Sequence, residues 1–176
     1  HSSPARFDMK KLEAINGDKI RALSVEDFAH WTIPFLKKAG VIQGTEAEIA
    51  LVKQALPLIQ ERIVKLDEAP QLLKFLFVTE FAIDSDAVSK VNDESAQSIL
   101  KRAHSDLEQL STWTHESIEA ALRASLIEEM GLKPRIAFTA LRIATTGSTI
   151  SPPLFESMEL LGKQACLARI SLALSL

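Results

Sequence analysis

Apolar positions recur along this chain at intervals of three and four residues, and the alternation that builds strands is nearly absent. After Thr45 the residues Ile49, Val52, Leu56, Ile59, Ile63 and Leu66 fall on one stripe, the spacing of a half-buried helix. Ala96, Ile99, Leu100, Ala103, Leu107 and Leu110 form a second stripe, and Ile118, Ala121, Leu122, Ser125 and Leu126 a third. Polar residues mark where the helices begin. Thr45 precedes Glu48 at capping-box spacing, Ser24 precedes Asp27 in a looser match, and Thr114 opens the third stripe. Gly40, Gly131, Gly147 and Gly162 follow helical runs, where a left-handed residue ends a helix without steric cost. Pro57 lies inside the first stripe and predicts a kink or a break there. The pattern predicts an all-α fold. Periodicity lapses between Phe81 and Asp86, with Ser85 placed to cap a new helix, so two packed helical subdomains are expected over 1–83 and 84–176.

A chain of 176 residues, 47% hydrophobic and 24% charged, can bury a core without disulfide or metal staples. Cys166 is the only cysteine, which excludes an intrachain disulfide and fits a reducing, cytoplasmic setting. The formal net charge of -3 argues against a protein that holds long duplex DNA through its overall field, so a nucleic-acid partner has to meet a local patch. Charges interrupt every apolar stretch before it could span a bilayer, and no membrane partner is expected. The chain opens on His1-Ser2-Ser3-Pro4 rather than Met, the expectation for a processed chain or a piece of a longer one.

Few residues offer chemistry. His1, His30, His104 and His115 have no second ligand at metal-binding spacing, and His30 is expected to pack beside Trp31. Glu128-Glu129 and the Glu156/Glu159 pair are expected on solvated helix faces. The glycines never cluster into a phosphate-cradling loop. Cys166, among Ala165, Leu167 and Ala168, is expected to be a core thiol. No catalytic residue, cofactor site or metal site is predicted in this chain.

One stretch departs from the background. From Met130 to Phe155 there is no Asp or Glu, while Lys133, Arg135 and Arg142 lie inside it. Looped RNA calls for such a surface: cations for the phosphates, and apolar or planar groups on which unstacked bases rest. The stretch ends in Gly147-Ser148-Thr149-Ile150-Ser151-Pro152-Pro153-Leu154-Phe155. Its spacing predicts that Gly147 stops one helix, Ser151 caps the next and Pro152 takes its first position. A helix start beside a basic island is an anion site. The rival reading is a helical protein–protein interaction scaffold, which would show no salt-dependent RNA affinity.

Three blocks resemble the C-terminal part of bacterial glutamyl-tRNA synthetases, a family of class I aminoacyl-tRNA synthetases. They are Arg6-Phe7-Asp8-Met9-Lys10-Lys11-Leu12-Glu13-Ala14-Ile15-Asn16-Gly17, Gly131-Leu132-Lys133-Pro134, and Leu141-Arg142 running through Gly147 to Ser151-Pro152-Pro153-Leu154-Phe155-Glu156. The likeness runs in order along essentially the whole chain. It implies the all-α anticodon-binding half of such an enzyme, with the anticodon stem-loop of tRNA(Glu) as partner and a monomeric, cytoplasmic parent. The family's His-Ile-Gly-His and Lys-Met-Ser-Lys-Ser type signatures are absent from the chain. The resemblance therefore implies that ATP, Mg and the ligase chemistry belong to a separate catalytic N-terminal half.

Residue roles follow by the same resemblance. Arg142 is similar to the arginine that contacts the middle of the anticodon. Ser151, Pro152, Leu154 and Phe155 resemble the loop and helix start that receive its first base. Arg123 resembles a further RNA-facing arginine, and Arg62 the arginine that inspects the third base. Lys133 and Arg135 are expected to meet phosphates. The family often has Gly where Pro153 stands, and it varies at Ser151, so the resemblance implies contacts at this loop that differ in detail from the family's.

Overall fold

The computed structural model describes residues 8–176. His1, Ser2, Ser3, Pro4, Arg6 and Phe7, named above, lie outside the described residues. Among those described there is no strand, and the fold is all-α. The chain separates into two compact units, the first ending at Leu73 and the second running from Lys74 to Leu176.

In the first unit, α1 (Met9–Arg21), α2 (Val25–Lys38), α3 (Glu46–Gln60) and α4 (Ala69–Leu73) form a small bundle in which α2 packs on α3 and α4 on both. The starts of α1, α2 and α3 are each fixed by a side-chain cap. Asp8 accepts from the Lys11 N–H, Ser24 accepts from the Asp27 N–H, and Thr45 and Glu48 complete a reciprocal capping box. Most of the predicted stripe is buried: Val52, Leu56, Ile59 and Ile63 are closed to solvent, as are Phe28, Leu36 and Leu73, while Ile49 and Leu66 are half-buried. Gln60 Nε2 donates to the carbonyls of Ile20 and Leu23, both at 2.9 Å, and so ties the end of α1 to α3. Pro57 does not break α3, which runs on to Gln60. The helix ends within a turn of the proline, so few further bonds depend on continuity there. His30 and Trp31 do meet, edge-on at 5.2 Å, but both are exposed.

The second unit holds α5 (Glu94–Gln109), α6 (His115–Leu122), α7 (Pro134–Thr146), α8 (Leu154–Leu161) and α9 (Lys163–Leu174). α5 is its spine, packing on α6, α7 and α9 with Ala96, Ile99, Leu100, Ala103 and Leu107 buried. α6 lies on α8, and α7 on α9. Beyond α6, residues Arg123–Glu129 continue as a wide π-type turn, in which the Met130 N–H reaches the Ser125 carbonyl at 3.0 Å. Such turns widen a helix locally and are frequent at functional sites.

Two capping expectations are corrected. Ser85 caps nothing: residues 84–90 form tight turns, and Asp93 caps α5 by accepting from the Ala96 N–H at 2.9 Å. Ser151 does not cap α8 either. That helix starts at Leu154 behind Pro153. A residue preceding proline is pushed out of the helical region, so Pro152 cannot enter the first turn while Pro153 follows it. The break between units at Leu73/Lys74 precedes the 83/84 boundary read from the sequence, because residues from Phe75 onward bond to α7 and α9.

Candidate nucleic-acid interface

α7 positions most of the sequence-predicted residues. Lys133 stands at its N-cap and Pro134 in its first turn, where the missing N–H is no loss. Its inner face, Ala137, Ala140, Leu141, Ile143 and Ala144, is buried, which leaves Arg135, Phe138, Thr139 and Arg142 along one outer side at helical spacing. The helix stops at Gly147, whose φ of 81° is left-handed and whose N–H bonds the Ile143 carbonyl at 2.8 Å. A Cβ at Gly147 would lie 2.6 Å from the Ala82 carbonyl oxygen, so both conformation and space require glycine there.

The loop after Gly147 returns to α7. The Arg142 Nη1 donates to Ser151 Oγ at 3.3 Å, and that hydroxyl donates to the Pro152 carbonyl at 2.8 Å. Ser151 and Pro152 are buried, so this relay ties the guanidinium to a fixed floor. α8 then begins without any side-chain cap. Leu154 is only 5% exposed and belongs to the core, so its outward contribution is backbone. The exposed apolar group of the loop is Ile150, at 73%, a residue the sequence reading did not single out. Its signal was present: it is the one large apolar residue between Gly147 and Pro152.

A second cluster runs across α7. The Arg123 guanidinium lies 5.4 Å from the centroid of Phe138, and Phe138 meets Phe155 edge-on at 5.1 Å and 85°. Two predicted residues, Arg123 and Phe155, are thus joined through a third that sequence reasoning missed. Phe138 stands four residues before Arg142 and shares its helix face, which is the signal that could have found it. Arg123 also pairs with Glu119 at 2.6 Å.

Lys133 and Arg135 are exposed and, among the described residues, make no ion pair. Arg135 borders an open cleft of about 270 Å³ together with Lys90, Asp93, Ile136 and Thr139. Arg62 belongs to the first unit, where it is exposed in the turn just past α3, its N–H on the Ile59 carbonyl at 2.9 Å.

Titratable groups near these elements serve structure. Burial pushes the Cys166 thiol up to about 12, so it stays protonated and inert. His115 lies between Glu159 at 2.8 Å and Glu116 at 3.1 Å, and the hydrogen bond to Glu159 raises its pKa. Glu129, exposed as expected, pairs with Arg102 at 2.6 Å. No group of three or more His, Cys, Asp or Glu among the described residues could hold a metal ion. The arrangement offers a cationic face with hydrogen-bond donors, aromatic rings and an exposed aliphatic group.

A family model described as an anticodon binding domain matches residues 26–174. The chain belongs to that family. A glutamate–tRNA ligase of Saccharopolyspora erythraea is 46% identical over 172 residues, covering 96% of this chain and 34% of the relative. One of Acidothermus cellulolyticus is 49% identical over 168 residues, covering 93% of this chain and 33% of the relative. The chain therefore spans about a third of the length of the curated relatives it matches. A crystal structure of a glutamate tRNA ligase from Elizabethkingia meningosepticum superposes with a TM-score of 0.78 at 20% identity, over 99% of this chain and 34% of that one. At that identity the likeness concerns the fold alone. The anticodon-binding family match takes in Arg62, the Arg123–Phe138–Phe155 row and the whole Arg142–Ser151 loop.

Proposed function

We propose that this domain reads the anticodon stem-loop of tRNA(Glu) for a glutamate–tRNA ligase. ATP- and Mg-dependent glutamylation would belong to a separate catalytic half of that enzyme. The observation that carries the reading is the link from Arg142 to buried Ser151 at 3.3 Å, on a stretch of chain free of acids. A guanidinium presents its N–H donors in one plane at fixed angles, so its fork tolerates few wrong partners.

Each neighbour has a part. Ile150 gives an unstacked base an apolar surface, and the uncapped start of α8 offers backbone N–H groups to base or phosphate oxygens. Lys133 and Arg135 neutralise phosphates. Arg123, Phe138 and Phe155 flank the first base, and Arg62 inspects the third from the first unit. None of this chain's residues is assigned to ATP or magnesium. The parent enzyme works as a cytoplasmic monomer in this reading, with no DNA or membrane partner.

Fluorescence anisotropy with a labelled anticodon stem-loop tests the proposal. The chain is expected to bind it more tightly than a hairpin of identical stem and altered loop. Affinity for both should fall between about 50 mM and about 200 mM salt as counterion release weakens. Equal affinity for the two hairpins at every salt concentration would leave no anticodon reading.

A further inference from the structure

A buried cation stands behind the reading loop, and the RNA contacts proposed above make no use of it. Arg169 on α9 is only 8% exposed. Its Nη1 donates to the Thr145 carbonyl at 2.7 Å, and its Nη2 donates to the Phe75 carbonyl at 2.8 Å. Its guanidinium carbon lies 4.2 Å from the centroid of the Phe81 ring. No carboxylate pairs with it among the described residues.

These partners belong to two pieces of chain. Thr145 is in the last turn of α7, where carbonyls lack helical partners and the helix dipole is negative, a favourable place for a cation. Phe75 and Phe81 belong to a strap, residues 75–84, that runs past the end of α7. The strap is fastened again at Gly147: the Asp84 N–H bonds the Gly147 carbonyl at 2.8 Å. A Cβ at Gly147 would meet the Ala82 oxygen at 2.6 Å and Phe81 Cε2 at 3.3 Å. Phe81 therefore lies against both the guanidinium and Gly147. One side chain holds the last turn of α7, the start of the strap and the ring between them, at the point where the loop carrying Ile150 and Ser151 departs. Arg142 sits on α7, three residues before Thr145.

A buried cation is a poor way to gain stability, because desolvation takes back most of what its bonds return, and apolar replacements of similar volume are often no less stable. What the arginine fork provides is direction: two N–H vectors at a fixed angle and a flat face, which place three partners at once. We infer that Arg169 is a positioning residue for anticodon reading, holding α7 and the strap so that Arg142 and the Ser151 loop are set before RNA arrives. The inference rests on the RNA-reading function proposed above. Pre-set contacts avoid an ordering cost on binding, and that saving falls on the matched loop rather than on non-specific phosphate contacts.

The test compares wild type, Arg169→Lys, Arg169→Met and Phe81→Leu in the full chain. The readouts are affinity for the tRNA(Glu) anticodon stem-loop, affinity for the hairpin with altered loop, the slope of log affinity against log salt, and the melting temperature. Lysine keeps the charge but cannot span both carbonyls and stack on Phe81. All three variants are expected to lower the ratio of the two affinities roughly tenfold, the coupling typical of residues that share partners. The salt slope should stay unchanged. In an Arg142→Ala background, Arg169→Lys should produce no further loss of that ratio. An unchanged ratio in folded Arg169→Lys or Phe81→Leu overturns the inference, as does full additivity with Arg142→Ala. If Arg169→Lys fails to fold, Phe81→Leu, which leaves the carbonyl bonds in place, decides. A wild-type chain that does not distinguish the hairpins overturns the RNA reading itself, and this inference with it.

Discussion

Replacing Arg142 with alanine probes whether the α7 face reads bases or only gathers phosphate. The side chain is half-buried and its Nη1 is bonded to Ser151 Oγ at 3.3 Å, so part of the entropy of fixing a long cation is spent before RNA binds. An arginine fork aimed at base acceptors discriminates by about 1–3 kcal/mol, which corresponds to roughly 5- to 150-fold in Kd. The expected loss for Arg142→Ala is therefore within that range for the cognate stem-loop and near zero for a hairpin whose middle anticodon base is changed. Ser151→Ala removes the anchor, together with the hydroxyl's own bond to the Pro152 carbonyl, and leaves the guanidinium in place. It should cost about 0.5–1.5 kcal/mol, the net value of an ordinary hydrogen bond.

Anisotropy titrations at several salt concentrations separate the two explanations. A base contact displaces no counterions, so the slope of log affinity against log salt stays where wild type has it. Each phosphate contact to a single strand adds about 0.7 to the steepness of that slope, and its loss would flatten the line by that amount. Equal weakening for every loop sequence, together with a flattened slope, refutes base reading by Arg142. Unchanged affinity for all hairpins removes Arg142 from the interface altogether.

Three further outcomes are expected. Ile150→Asp places a carboxylate in the acid-free stretch and removes its exposed apolar group; stem-loop affinity should fall at least about tenfold at low salt, while thermal melting moves by no more than about 0.5 kcal/mol because the residue is a surface one. Arg62→Gln should narrow the preference for the glutamate anticodon over the glutamine anticodon, which differs at its third base, with melting unchanged; equal preference before and after would remove Arg62 from third-base inspection. Glu48→Gln should lower the melting temperature at neutral pH. The backbone N–H groups of Thr45 and Gln43 hold the Glu48 carboxylate down from 4.5 to about 2, so its contribution is complete above 4.5 and lost as pH falls toward 2. The gap between Glu48→Gln and wild type should close over that interval, and a gap independent of pH would contradict the capping account.

What the sequence discloses here is set by how far apart interacting residues lie along the chain. Thr45 with Glu48, Thr114 with Ser117, and Gly147 after α7 act within one turn, so spacing alone locates them. The buried stripes are equally readable, since a helix returns to the same face every three or four residues. The double proline was the exception, because two local rules compete there. First-turn preference draws Pro152 into the helix and the pre-proline restriction expels it, and the second prevails because it is a steric clash rather than a preference. The same shift buries Leu154 and leaves Ile150 as the apolar group facing solvent, a distinction that periodicity does not make over so short a loop.

Arg169 lay further out of reach. It sits among Ala168, Ile170 and Ala173 on a helix that reads as plain core, and its partners are 24 and 94 positions away. Nothing in the local pattern tells a buried arginine that orders two backbone segments from one on a wet face. The exposed half of the recognition apparatus is therefore announced by composition, as a stretch without acids, and the half that holds it still is not. Reading bases one at a time depends on both halves, because a basic surface that can shift by an ångström keeps its phosphate contacts and loses its directional ones. Fidelity in this domain should accordingly be more sensitive to substitutions in the strap and at Arg169 than total RNA affinity is.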